Sequence, residues 1–107
     1  MKVDYDSEAK SLLFEFGERR VFEDGDRVEL LADDDCIVWI HDGCPESIQL
    51  LGADKDITPL DEAAERFDLN ADCLRAGAQA ALGLPDREIT FDVGPQRLVG
   101  KKQAQPA

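Results

Sequence analysis

The residues with the most chemistry to offer lie together in ADDDCIVWIHDGCPES, residues 32–47. This stretch holds three consecutive aspartates, the only tryptophan, the only histidine and two of the three cysteines. Cys36, His41 and Cys44 are of the types that bind zinc or form a thiolate–imidazole pair. Zinc asks for about four such ligands, usually in closely spaced pairs. Cys36 and Cys44 stand eight residues apart, neither belongs to a CxxC pair, and His41 has no second histidine to join it. In a strand, Cys36, Val38 and Ile40 take one face and Ile37, Trp39 and His41 the other. Cys36 and His41 then point apart, which speaks against a shared metal. Asp33, Asp34 and Asp35 are consecutive, whereas a calcium loop alternates its acidic groups and adds a glycine and a distal glutamate. A solvated turn is the expectation there. Cys44 follows His41 closely enough for a thiolate pair, and Asp42 is near enough to orient the imidazole. No oxyanion-hole motif accompanies them, carboxylates are too abundant in this chain to discriminate an acid–base pair, and no glycine-rich phosphate loop occurs. An enzyme or metal protein built on Cys36, His41 and Cys44 therefore ranks third among the readings. No catalytic residue, metal ligand or cofactor is assigned.

The surrounding sequence reads as strands joined by tight turns. Val3 and Tyr5 open a short strand, and Asp6, Ser7 and Glu8 form a turn. Residues 11–16 alternate Leu12, Phe14 and Phe16 onto one face. Val21 and Phe22 are candidates for another short strand. EDGD (23–26) and Asp42-Gly43 supply the positive φ that tight turns need. Strands are expected at Arg27–Leu31 and Cys36–His41, then over residues 47–51. A strand apolar on both faces, as residues 36–40 read, calls for cover on both. The helix pair can provide one cover and a second subunit the other.

After residue 56 the period changes. Thr58 is placed to cap a helix with Pro59 at its first position and Leu60, Ala63, Ala64 and Phe67 as its apolar stripe. Asn70 caps a second helix with the stripe Leu74, Ala78, Ala81 and Leu82, ended by Gly83. Residues 88–93 read as a last strand and the remainder as a tail. The expected class is α+β: an antiparallel N-terminal β-meander of about five strands, an αα unit and a final strand. In sequence terms that is a sheet domain at 1–56, a helical unit with closing strand at 57–94, and a tail at 95–107.

Two resemblances add to this reading. Met1 to Ala9, the strand that follows, and RVELLADDDCIVWIHDG (27–43) resemble a family of small bacterial domains of unknown function that open Met-Lys-x-x-Tyr-Asp-x-Glu-Ala. The likeness covers about half the chain, implies a small β-sheet domain and implies no activity. TPLDEAAERFDLNADCLR (58–75) resembles the helix-turn-helix pattern, with Ala64 at the small position of the first helix and Leu74 at the apolar anchor of the second. Asp68 stands where that pattern usually has glycine, and aspartate tolerates positive φ. On this resemblance Arg66, Asn70, Arg75, Gln79 and Arg87 are the candidate contacts to DNA or to a protein partner, with Arg97, Lys101 and Lys102 as further phosphate contacts.

Charge weighs against the DNA option. The formal net charge is −12, and residues 1–56 carry −10 of it while residues 57–107 carry −2. Such a chain repels nucleic acid and anionic lipid unless its basic groups are segregated. The aspartate-rich, lysine-poor composition fits a salt-adapted chain as well as an acidic binding face. No apolar run is long enough to span a membrane, and an odd number of cysteines suits reduced thiols in the cytoplasm. The first-ranked expectation is a non-enzymatic interaction or regulatory module that pairs with itself through the sheet or the helix pair, or with another protein, a basic one suiting its acidic N-terminal half. A DNA-binding regulator using residues 58–82 is the alternative.

Overall fold

The computed structural model describes residues 1–17 and 26–91. Its elements run β1 (Lys2–Asp6), β2 (Ser11–Glu15), β3 (Arg27–Leu31), β4 (Cys36–His41), β5 (Cys44–Leu51), α1 (Pro59–Phe67), α2 (Ala71–Gly83) and β6 (Glu88–Thr90). The six strands form one antiparallel sheet in the order β3-β4-β5-β2-β1-β6. The α+β class, with strands first, helices next and a closing strand, is the one the sequence led us to expect.

Local chemistry accounts for most of these elements. β4 and β5 are joined by a two-residue turn in which Asp42 and Gly43 take φ 51 and 76. Positive φ at both positions matches the right-handed twist of a hairpin, which is why Asp-Gly recurs there. The turn before β4 uses the aspartate run: Asp33 and Asp34 lie at φ 55 and 72, and the Asp35 N–H donates to the Ala32 carbonyl at 3.1 Å. Asn70 caps α2, its Oδ1 accepting the Cys73 N–H at 3.1 Å. Asp68 ends α1 at φ 58, ψ 44, the left-handed position where the helix-turn-helix pattern has glycine.

Several expectations need correction. β5 starts at Cys44 rather than at residue 47, because the tight turn lets pairing begin at once. The meander holds for β3-β4-β5, but β2 returns beside β5, so β3 becomes an edge of the sheet. Thr58 makes no side-chain cap and has helical φ and ψ; instead Asp56 Oδ1 accepts the Thr58 N–H at 2.9 Å. Gly83 is the last helical residue of α2, and the Leu84 N–H closes the final turn on the Ala81 carbonyl. The suggested strand at Val21-Phe22, most of the EDGD turn, the end of the last strand and the tail lie outside the described residues.

Both helices lie on one face of the sheet, α1 over β3, β4 and β5 and α2 over β1 and β6. The core between them contains Val3, Tyr5, Leu12, Phe14, Cys36, Val38, Ile40, Ile48 and Leu50 from the strands and Leu60, Leu74 and small alanines from the helices. β6 pairs with β1, so the chain before and after residue 56 shares one sheet and one core. Gly77 lets α2 approach the sheet closely: a Cβ there would sit 3.0 Å from Met1 Cε and 3.1 Å from Val3 Cγ2.

Candidate functional site

The expected strand alternation is present. Cys36, Val38 and Ile40 are buried under the helices, while Ile37, Trp39 and His41 face the other way. The helix pair supplies the expected cover on one face of β4; among the described residues no helix covers the second face, where Ile37 and Trp39 are half-buried. Cover on both sides is a property of the assembled layers, and the strand alternation cannot specify how many layers there are.

Register defines what this open face carries, because residues paired across antiparallel strands share a face. One cross-strand row reads Leu30, Ile37, Gln49, Leu13, Asp4, Glu88 from β3 to β6. The next reads Val28, Trp39, Ser47, Glu15, Lys2, Thr90. On β3, β4 and β5 neither row has a charged side chain, and charge begins at Glu15 on β2. Leu30 is 53% exposed and Val28 41%, unusual values for such side chains on an ordered sheet. The open face is thus divided into an apolar, neutral half around Trp39 and a charged half on β1 and β6.

Beyond Trp39 the same face continues into His41. Its Nδ1 meets Asp26 Oδ1 at 2.5 Å and its Nε2 meets Asp42 Oδ2 at 3.2 Å. Asp26 was not singled out in the sequence; the register that sets Arg27 opposite Ile40 is what brings it beside the ring. Cys44 is paired opposite His41 and is exposed. Each ring nitrogen of His41 thus has a carboxylate beside it, Asp26 at Nδ1 and Asp42 at Nε2. Cys36 lies on the other side of the sheet, where burial pushes its thiol up to about 11. Cys36, His41 and Cys44 therefore do not converge, and among the described residues no group of three or more His, Cys, Asp or Glu side chains is placed to hold a metal.

The candidate contacts on the helices are held in place by acids. Arg66 Nε and Nη2 donate to Glu29 Oε2 and Oε1 at 2.8 and 3.1 Å, tying α1 to edge strand β3. These two bonds, helped by Arg27, hold the Glu29 carboxyl down at about 2. Arg75 is clamped between Asp61 of α1 and Asp72 of its own helix, and these partners raise its pKa further. Asn70 is engaged as the α2 cap, while Gln79 and Arg87 are exposed. The five candidates do not form one cluster: Arg66 reaches the β3 edge, Arg75 bridges the helices, and Arg87 precedes β6. The sequence reading missed Val28, Leu30 and Leu13 as surface residues, although the apolar types at both parities of RVELL were the available signal.

A cleft of about 590 Å³ lies at the other end of the sheet, between Met1, Phe16 and Thr90. Its Lys2 and Glu88 side chains approach each other at 4.0 Å. Among the described residues no buried polar side-chain atom lacks a partner, so none is aimed into a cavity awaiting a ligand.

The arrangement is that of a single-layer antiparallel sheet with two helices on one face and, on the other, a neutral apolar half beside a charged one. No protein-family model, curated protein or solved structure matches the chain. Among the described residues no helix is long and apolar enough to cross a membrane.

Proposed function

We propose that this chain is a non-enzymatic, cytoplasmic protein-interaction module whose docking surface is the open face of β3, β4 and β5. The observation that carries the reading is the neutral apolar patch formed by Val28, Leu30, Ile37 and Trp39 on a chain of net charge −12. Exposed contiguous apolar surface on a soluble domain marks an interaction site more often than anything else, and a tryptophan is a frequent anchor of such sites. The surrounding chemistry supports binding over catalysis: His41 is held between two carboxylates and the Cys36 thiol is buried. Three free cysteines fit a reducing compartment.

The test is a paired capture from cells expressing the tagged chain, wild type beside Val28→Lys. Val28 is exposed on an edge strand, so the charge is accommodated in the free protein. Partners retained by wild type and lost by the variant are the expected outcome. Equal recovery by both chains would overturn the reading.

A further inference from the structure

We propose that the occupant of the open face is a second copy of this chain, packed sheet against sheet about a two-fold axis. The axis runs parallel to the strands between β4 and β5. This deepens the docking reading above and rests on it.

The first argument is charge. Twenty-four acidic residues are spread over the chain, yet the two open-face rows through Ile37 and Trp39 are uncharged across β3, β4 and β5, and charge on this face resumes beyond them at His41 with Asp26 and Asp42. A basic partner would be drawn to the acidic groups elsewhere, and nothing in the patch would hold it. A surface that is neutral and apolar is matched by another of the same kind, and this chain provides one. Two molecules of like charge approach best where neither presents it, and the patch on β3, β4 and β5 meets that condition, with Glu15 of β2 at its rim.

The second argument is register, which selects the axis. Two sheets packed face to face keep their strands roughly aligned about 10 Å apart. A two-fold axis parallel to the strands and midway between β4 and β5 sets β4 of one copy over β5 of the other, and β3 over β2. Row by row, Leu30 then meets Leu13 of the second copy, Ile37 meets its Gln49, and Trp39 meets its Ser47. Large side chains fall on small or flexible ones, and the indole lies over the smallest side chain in the neutral part of either row. Val28 falls beside Glu15 of the second copy at the rim, where a carboxylate can reach water. The charged strands β1 and β6 extend beyond the partner, leaving Asp4, Glu88 and Lys2 in solvent. An in-plane axis perpendicular to the strands would instead lay these acidic strands on one another. Each contact occurs twice, as an isologous interface requires.

The third argument is size. Four strands at about 4.8 Å spacing and roughly 17 Å of strand length give a planar footprint of about 320 Å². Standing side chains enlarge the accessible area, but the interface stays at the small end of specific ones. The dimer is therefore reversible, with dissociation in the micromolar range, roughly 1–100 μM.

The experiment is sedimentation of the full chain over a concentration series, with Leu30→Lys, Leu13→Glu and an equimolar mixture of the two. Circular dichroism confirms that each variant is folded. Wild type should shift from monomer to dimer as concentration rises, with the Trp39 emission moving to shorter wavelength. Each variant alone should dimerise more weakly by about tenfold or more. The mixture should recover dimer, because one Leu30–Leu13 contact remains intact and the other becomes a lysine–glutamate pair. That recovery depends on the two residues meeting across the axis, which a general loss of apolar surface would not produce. Wild type monomeric throughout the series would overturn the proposal, as would a dimer indifferent to both substitutions or a mixture no tighter than its components. If wild type stays monomeric while partners are still lost from Val28→Lys, self-pairing fails and docking of another protein stands. If that capture difference is also absent, both readings fail.

Discussion

Glu29 is the side chain that ties the edge of the sheet to α1. It sits on the helix-covered face of β3 and receives both Arg66 and Arg27, so an acidic group on an exposed strand serves as the tie between sheet and α1. Its carboxyl is held at about 2, against an ordinary value of 4.5, by the Arg66 hydrogen bonds first and those of Arg27 second. A carboxylate depressed in the folded state stabilises the fold above its ordinary pKa, and that contribution is lost as pH falls through the folded value. The loss from Glu29 therefore falls between 4.5 and about 2. Removing the larger cause with Arg66→Met should move the Glu29 titration toward its ordinary value and flatten the acid limb of stability against pH. Side-chain carboxyl NMR, with urea unfolding across the same range, reads both effects. A Glu29 that titrates near 4.5 in the wild-type protein would show that the arginine fork does not hold it. Because the group is exposed, solvent screening keeps the stability change modest.

The helices meet the sheet through small residues, and Gly77 is the tightest point. In an open helix, Gly77→Ala would stabilise by about 0.8–1 kcal/mol through backbone propensity. Here the added methyl meets Met1, which can swing away, and Val3, which cannot because it is β-branched and fixed in β1. Overpacking of this kind costs about 1–3 kcal/mol. The expected net result is a loss of about 1 kcal/mol in urea unfolding, and a gain in stability would mean that α2 can lift from the sheet at little cost. Gly77 was absent from the stripe read as Leu74, Ala78, Ala81 and Leu82, since hydropathy does not register close approach. What was legible at this scale followed from local chemistry. β3 and β4 were bounded correctly because turn residues flank them, and Asp68 and Asn70 take the roles their types suit. Thr58 was misjudged because Asp56, two residues earlier, accepts the Thr58 N–H and engages its side chain, while the Leu60 and Asp61 N–H groups bond to the Ile57 and Thr58 carbonyls. The pairing of β2 with β5 was not legible, because the residues it joins, such as Phe14 and Ile48, lie far apart in sequence.

At the scale of the molecule, the sequence yielded the class of fold and pointed to the second face of β4 as the one a second subunit could cover. β4 reads as apolar on both faces whether the second cover is a helix, a loop or another chain; only the layer count distinguishes them. Charge, by contrast, can be read from composition, and it carries the final expectation. Two copies of a chain at −12 repel each other, and their interface contributes no compensating ion pairs at its centre. Salt shortens the range of that repulsion, to about 10 Å at 0.1 M and about 3 Å at 1 M. Dimerisation should therefore tighten as sodium chloride is raised from low to molar concentration, several-fold over that range, with the apolar contact strengthened in the same direction. A nucleic-acid reader behaves oppositely, because each phosphate contact releases counterions and affinity falls steeply with salt. Arg66 and Arg75, the arginines nearest the αα unit's turn, are engaged by Glu29, Asp61 and Asp72, and a phosphate would have to displace those carboxylates. Sedimentation across a salt series and a duplex-DNA mobility shift at low salt thus give opposed signatures. Self-association that grows with salt and no shift on DNA is the expected pair. A dimer that dissociates with salt would place charged groups in the interface and move it off the neutral half of the sheet.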